Sequence, residues 1–285
     1  MFALLRSDLY RFTRLRCLRG RFWQYAIAAV VINLIPLLLF AYSTNVRGFD
    51  PGLTLDVNRV FSTPLALFSV LAFAGFCLLP LIVSYAGLDA FFEDLDAGYV
   101  KNICSSTLGR VGYAVEKVVF VGVIALMGFA LLFPLALLTT LLTGAAFAAY
   151  DTAGVGCSWF ACALLITWAI ACIPLALGLL ARWKPLAYVV PLIVLFGVVP
   201  DVLRLLAERL PADAGMVSAV LASMANWMPS QAMVQLAGNP ADLLGPVNML
   251  GVPSMPGWAY VLVVALSTLL LSASALVVVA RRKSL

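Results

Sequence analysis

Long stretches of this chain carry no charge, and that limits the folds open to it. Uncharged apolar runs extend from Tyr25 to Tyr42, from about Thr63 to Ala86, through Val118 to Tyr150, between Val155 and Ala181, from Leu186 to Val199 and from Trp258 to Ala280. A helix needs roughly 20 residues, at about 1.5 Å each, to cross a hydrocarbon core of about 30 Å. In lipid, every backbone polar group must also be satisfied internally. The runs therefore predict an all-α integral membrane protein with six transmembrane helices. The fifth run is the shortest, and Val118–Tyr150 is longer than one straight span needs. A composition that is 64% hydrophobic and 11% charged over 285 residues, with a mean hydropathy of +1.07, lies far from that of soluble domains.

Lysine and arginine set the orientation. With the N-terminus inside, fourteen of the eighteen basic residues fall on one side of the membrane, among them Arg6, Arg11, Arg21, Lys101, Arg110, Lys117, Lys184 and Arg281. Arg47, Arg59, Arg204 and Arg209 fall on the other. The expectation is a multi-pass protein of the plasma (inner) membrane with both termini cytoplasmic. The net charge of +5 is then a consequence of topology and gives no reason to expect nucleic acid.

Several chemistries are disfavoured. The chain has no histidine, and its six cysteines include no C-x-x-C pair, which argues against a protein zinc or haem site. No acidic or basic residue falls inside the six runs, whereas ion-coupled carriers and intramembrane proteases use ionisable groups or an unwound polar site at depth. Only Asn33 and hydroxyls such as Thr139, Thr140, Thr167, Ser267 and Ser272 interrupt the apolar composition. A cleavable signal peptide is not expected, because the first run follows a long basic segment.

In chain order, Phe2, Leu5, Leu9 and Phe12 recur at helical spacing, which predicts an amphipathic helix on the inner membrane surface within residues 1–24. Pro36, Pro80, Pro134 and Pro174 fall in the apolar runs and predict kinks or interruptions. Residues 87–117 form the long polar insert on the inner side, with Asp89, Glu93, Asp94, Asp96 and Glu116 among its acids. Leu88–Ala97 continues the second helix into water, Gly98 ends or bends it, and Tyr99–Ser105 can form a short separate helix. Ser105, Ser106 or Thr107 then caps the third span, with Arg110 and Lys117 near the headgroups. A solvated hairpin with snorkelling basic anchors is the plainer alternative.

The outer segment 201–257 is too apolar for a free soluble loop. Asp201–Leu210 reads as a polar helix stopped by Pro211, and Met216–Met228 as an apolar helix ended by Pro229. Pro240, Gly245, Pro246, Gly251, Pro253, Pro256 and Gly257 follow. Short helices lying in or dipping into the outer leaflet explain this pattern, and a cap without a gating role is the alternative.

An acidic segment, then Gly98-Tyr-Val-Lys101-Asn-Ile, then a Ser/Thr-rich turn ending in Arg110, with Lys117 at the start of a helix, resembles the coupling-helix region of ABC-2-type permeases. The chain is similar to the six-span permeases of peptide and drug exporters, including lantibiotic immunity permeases. The likeness covers the whole architecture: a surface helix, six spans, a cytoplasmic coupling helix between spans two and three, and re-entrant outer helices between spans five and six. It implies a single permease domain over residues 1–285 whose insert docks into a separate P-loop ATPase subunit. Glu93, Asp96, Gly98, Lys101 and Arg110 would form or shape that contact. It also implies a second permease subunit, either another copy or a relative, and ATP with Mg²⁺ on the ATPase alone. This chain has no G-x-x-x-x-G-K-[ST] motif, so no ATP hydrolysis of its own is expected. The expected function is efflux of an amphipathic peptide, drug or lipid. The competing expectation is a non-transporting immunity or scaffold protein that binds a peptide or lipid at the outer surface.

Overall fold

The structure is a computed structural model that describes residues 2–14, 21–31, 63–73, 78–98, 109–143, 150–181, 183–210, 215–238 and 240–282. It is all-helical among these residues, and its isolated β-bridge joins Pro246 to Pro256. The helices are α1 (Phe2–Thr13), α2 (21–31), α3 (Pro64–Phe73), α4 (Leu78–Asp96), α5 (Gly109–Thr143), α6 (Ala153–Ala181) and α7 (Lys184–Leu195). They continue as α8 (Val198–Arg209), α9 (Gly215–Asn226), α10 (Pro229–Ala237), a 3₁₀ turn at Pro240–Leu244 and α11 (Gly257–Arg282).

Among the described residues, three helices, α5, α6 and α11, are long and apolar enough to cross a membrane, and five candidates result if each of two bent pairs counts as one span. The protein is therefore a membrane-embedded helical bundle. Six separate spans are not what the described residues show. The first expected span is helical as far as residue 31, and its remainder lies outside the described residues. The second is divided into α3 and α4, which lie at 49° to each other, and the fifth bends by 61° between α7 and α8.

α6 is the hub. It buries 67% of its most apolar window, against 33% for α5 and 28% for α11, and it packs on α11, α4, α7 and α5. Its apolar character on all sides fits a helix surrounded by protein. Because lipid is as apolar as leucine, packing and not water exclusion holds such a bundle together. Close approach between α4 and α5 relies on small residues: a Cβ on Gly87 would stand 2.7 Å from Val121, and one on Gly128 would stand 2.8 Å from Leu79.

Pro80 stands in the first turn of α4, just after the 49° bend from α3. α5 runs unbroken past Pro134 and α6 past Pro174. The fifth apolar helix breaks instead at Phe196–Gly197, where Gly197 takes φ +68°, a conformation that costs glycine least. Pro229 starts α10 at its first turn, where its missing N–H is no loss.

The segment after α8 is tied down at several points. Arg204 donates to Asn226 Oδ1 (3.0 Å) and Gln231 Oε1 (2.9 Å). Asn226 donates to the Leu250 carbonyl (2.9 Å), and the Tyr260 hydroxyl donates to the Asn226 carbonyl. The Trp159 indole donates to the Leu236 carbonyl at 3.2 Å. Asn226, a buried amide, thus links α8, the 245–257 loop and α11. The expected helices at 201–210 and 216–228 are present as α8 and α9.

Candidate functional site

The polar end of the bundle is built on α4. Its end carries Asp89, Glu93 and Asp96 along one face, at i, i+4 and i+7, and Asp94 on the opposite side. Asp94 points inward and is fully buried. Asp89 is partly covered, while Glu93 and Asp96 stay 58% and 60% exposed. The helix stops in the expected way: the Ala97 N–H donates to the Glu93 carbonyl (3.0 Å), the Gly98 N–H donates to the Leu95 carbonyl (3.1 Å), and Gly98 has φ +66°. No atom would meet a Cβ at Gly98, so only the left-handed backbone penalises a side chain there. Gly98→Val is expected to cost about 1 kcal/mol, read as a drop of a few degrees in the thermal unfolding midpoint.

Asp94 belongs to a buried charge cluster drawn from three distant parts of the chain. Lys117 on α5 bonds to Asp8 on α1 and to Asp94 Oδ2 at 2.7 Å, and it lies 3.4 Å from Glu116. Arg11 closes the cluster from outside, donating to Asp8 at 2.7 Å and Asp94 at 2.5 Å. Burial alone would lower the Arg11 guanidinium, but the Asp94 hydrogen bond and charge, with Asp8 behind them, raise it above its ordinary value. The Lys117 ammonium also sits 5.2 Å from the Tyr113 ring centre and 5.3 Å from that of Phe120. Three carboxylates thus face two cations. Glu116 is the unbalanced member: it is fully buried, and neither of its carboxylate oxygens accepts a hydrogen bond.

This cluster corrects one expectation. Lys117 is not a snorkelling anchor at the headgroups but is 1% exposed. The apolar stripe of α1 meets protein as well: Phe12 is buried against Phe22 and Phe120. Asp8 was the residue to notice. It lies three residues after Leu5 and four before Phe12, so it is an acid on the apolar face, and a charge there needs a buried partner.

A second, more open cluster surrounds Asp89. Tyr25 (2.5 Å) and Tyr188 donate to it, and Arg21 pairs with it at 2.6 Å while standing 3.7 Å from Glu93. Burial opposes charge on Arg21, but the Asp89 hydrogen bond and charge raise it above its usual value. Lys184, at the start of α7, bonds to Asp96 at 2.6 Å and lies 5.7 Å from the Phe92 ring centre. Between these groups is an open cleft of about 450 Å³, lined by Arg21, Asp89, Phe92, Glu93, Lys184 and Tyr188 among others.

Of the residues expected to form a docking contact, Glu93, Asp96 and Gly98 lie together at the tip of α4. Arg110 is half-buried in the first turn of α5. Lys101, the short helix expected at Tyr99–Ser105 and the capping hydroxyls Ser105, Ser106 and Thr107 lie outside the described residues. Among the described residues no cluster of His, Cys, Asp or Glu could hold a metal ion, and Cys157, Cys162 and Cys172 are free thiols.

Fold and site together define a helical membrane protein with a charged, tightly cross-linked polar end. The chain matches no known protein-family model and shows no significant similarity to any curated protein.

Proposed function

We propose that this protein is the membrane subunit of an ATP-driven exporter of the ABC-2 permease kind, and that the tip of α4 is where a separate P-loop ATPase docks. The observation that carries this reading is how α4 is held. Arg11 and Lys117 bind Asp94, Arg21 with two tyrosines binds Asp89, and Lys184 binds Asp96. Five helices, α1, α2, α4, α5 and α7, are thereby joined at one end of the bundle, while Glu93 and Asp96 remain exposed beside an open cleft. A push on the exposed tip is passed to all five, which is what coupling a soluble motor to a membrane pathway requires.

On this reading the polar end faces the cytoplasm, and ATP and Mg²⁺ bind the partner. The exposed apolar faces of α5 and α11, including Leu126, Leu138, Leu266, Leu270 and Leu271, meet lipid and a second permease subunit. The substrate is an amphipathic peptide, drug or lipid that moves outward. The competing reading, a peptide- or lipid-binding immunity or scaffold protein without a motor, draws support from the hydrogen-bonded organisation of the segment around Asn226 at the other end.

The test is affinity purification of the tagged chain from its host in a mild detergent, followed by mass spectrometry. A P-loop ATPase is expected to co-purify and to fall at least tenfold when Asp96→Lys and Arg110→Glu are combined, with unchanged gel-filtration behaviour of the chain itself. A well-inserted protein that brings down no ATPase would sink the motor reading and leave the scaffold reading standing.

A further inference from the structure

Two carboxylates of the buried cluster are fully matched by donors, and the third is not. Asp8 accepts from Arg11 and Lys117. Asp94 is bound by the same two cations and accepts from the Tyr113 hydroxyl at 3.3 Å. Glu116 is 0% exposed, yet neither of its oxygens accepts a hydrogen bond. Its one ion contact among the described residues is Lys117 at 3.4 Å, and that ammonium stands closer to Asp8 and to Asp94. Three carboxylates thus lie within ion-pair distance of a single nitrogen. No neighbouring element supplies a further counter-charge among the described residues. α3 and α6, which pack on α5, contain no acidic or basic residue. On α1, Arg6 and Arg14 are exposed. On the far side of α4, Asp89, Glu93 and Asp96 are paired with Arg21 and Lys184. Arg110, further back on α5, and Arg281, at the end of α11, make no ion pair with Glu116.

A buried carboxylate that accepts no hydrogen bond is costly to charge, and like charges sharing one site resist ionising together. One added proton removes both penalties. It cancels the excess negative charge of three acids facing two cations, and it gives the acid that takes it a hydroxyl able to donate to a neighbouring carboxylate. Asp8 and Asp94 each have two cationic donors, which favour their charged forms. Glu116 is therefore the acid that takes the proton.

We propose that the cluster is a proton-binding site: Glu116 holds a proton at neutral pH in the folded protein, and that proton fastens α1 to the bundle. α1 packs on α5 and brings Asp8 and Arg11 to the cluster, so an ionised Glu116 would set an uncompensated like charge beside the carboxylate of α1. Linkage fixes the direction of the pH effect. When α1 lifts away, water reaches Glu116, a glutamate in water has a pKa of about 4.3, and the proton leaves. Above that pH the docked state binds one proton more than the open state. Opening then becomes easier by about tenfold per pH unit, until the docked state itself loses the proton. The site needs no ATPase and stands independently of the motor reading.

The experiment uses the full chain in detergent micelles and reads two signals. Infrared spectra at neutral pH are expected to show the carbonyl band of a protonated carboxylic acid. The band should shift when glutamate, and not aspartate, carries a heavy-carbon label in its side-chain carboxyl, and it should be lost in Glu116→Gln. Hydrogen exchange of the α1 backbone amides, corrected for its intrinsic pH dependence, is the second signal. Protection is expected to fall by about tenfold per pH unit above the ordinary glutamate range in the wild type, and to be independent of pH in Glu116→Gln, which is neutral without a proton. A wild-type chain with no protonated-carboxyl band at neutral pH, a band that moves with the aspartate label, or equal pH dependence of α1 protection in the two proteins would overturn the proposal. The labels are read on the wild-type chain, so the test remains decisive even if the variant fails to fold.

Discussion

Replacing Lys117 with methionine is expected to destabilise the protein by about 3–5 kcal/mol, lowering its thermal midpoint in detergent by on the order of 10 °C. The stem fits the same channel, so the loss is the charge. Without the ammonium, Asp8, Asp94 and Glu116, all at most 2% exposed, keep only Arg11 as counter-ion among the described residues, and Arg11 touches the first two of them. The matching control is Glu116→Gln. Glu116 accepts no hydrogen bond, and its removal takes away the unbalanced charge, so this variant is expected to match or exceed the wild type. In the double variant, Glu116→Gln should recover part of the Lys117→Met loss, since neighbouring charges are coupled. A Lys117→Met protein that melts with the wild type, followed by tryptophan fluorescence, would show that the cluster does not depend on charge compensation.

The second large effect belongs to the opposite half of the bundle. Phe68→Ala is expected to cost about 3 kcal/mol or more. The ring is fully buried, with centroids 5.4 Å from Phe133, 5.6 Å from Trp159, 5.8 Å from Phe129 and 6.1 Å from Phe160. Three of these are edge-on contacts of the kind aromatic quadrupoles favour. In a bilayer the transfer term is small, because lipid solvates phenylalanine as well as the bundle does. The penalty comes instead from the dispersion contacts that an empty space forfeits. Phe68→Leu, which fills part of that space, should lose less. Equal midpoints for the alanine and leucine variants would mean that the bundle collapses around the site and that its packing is not specific. The same ring cluster joins α3, α5 and α6, so its loosening should also show as faster proteolysis near Pro64.

The helical, membrane-embedded character and the end of α4 at Gly98 were readable from local pattern. Uncharged runs and a glycine past the last helical turn act through neighbours a few residues away, and those neighbours are in the sequence. The helices of the 201–228 region were legible for the same reason. The residues proposed to dock were legible only as a type of segment: Glu93 and Asp96 stand at the exposed tip, but nothing local distinguishes them from Asp94, on the opposite face and wholly buried. Asp8 lies 109 residues from Lys117 and Arg11 lies 83 from Asp94, and no periodicity reports that they meet.

Proline shows the same boundary from the other side. Pro134 and Pro174 fall inside α5 and α6, which stay helical past them, because one lost backbone hydrogen bond is a local cost that neighbouring groups can offset. The sharper of the two bends falls at Phe196–Gly197, where the chain leaves α7 to lay α8 against α9. What the sequence by itself determined is the solvent each segment prefers and where a helix must stop, since both follow from side chains and backbone freedom within a turn or two. Which charges are buried, which prolines are tolerated and where a cavity opens were decided by the tertiary structure alone, because burial and pairing are properties of neighbours that only folding brings into contact.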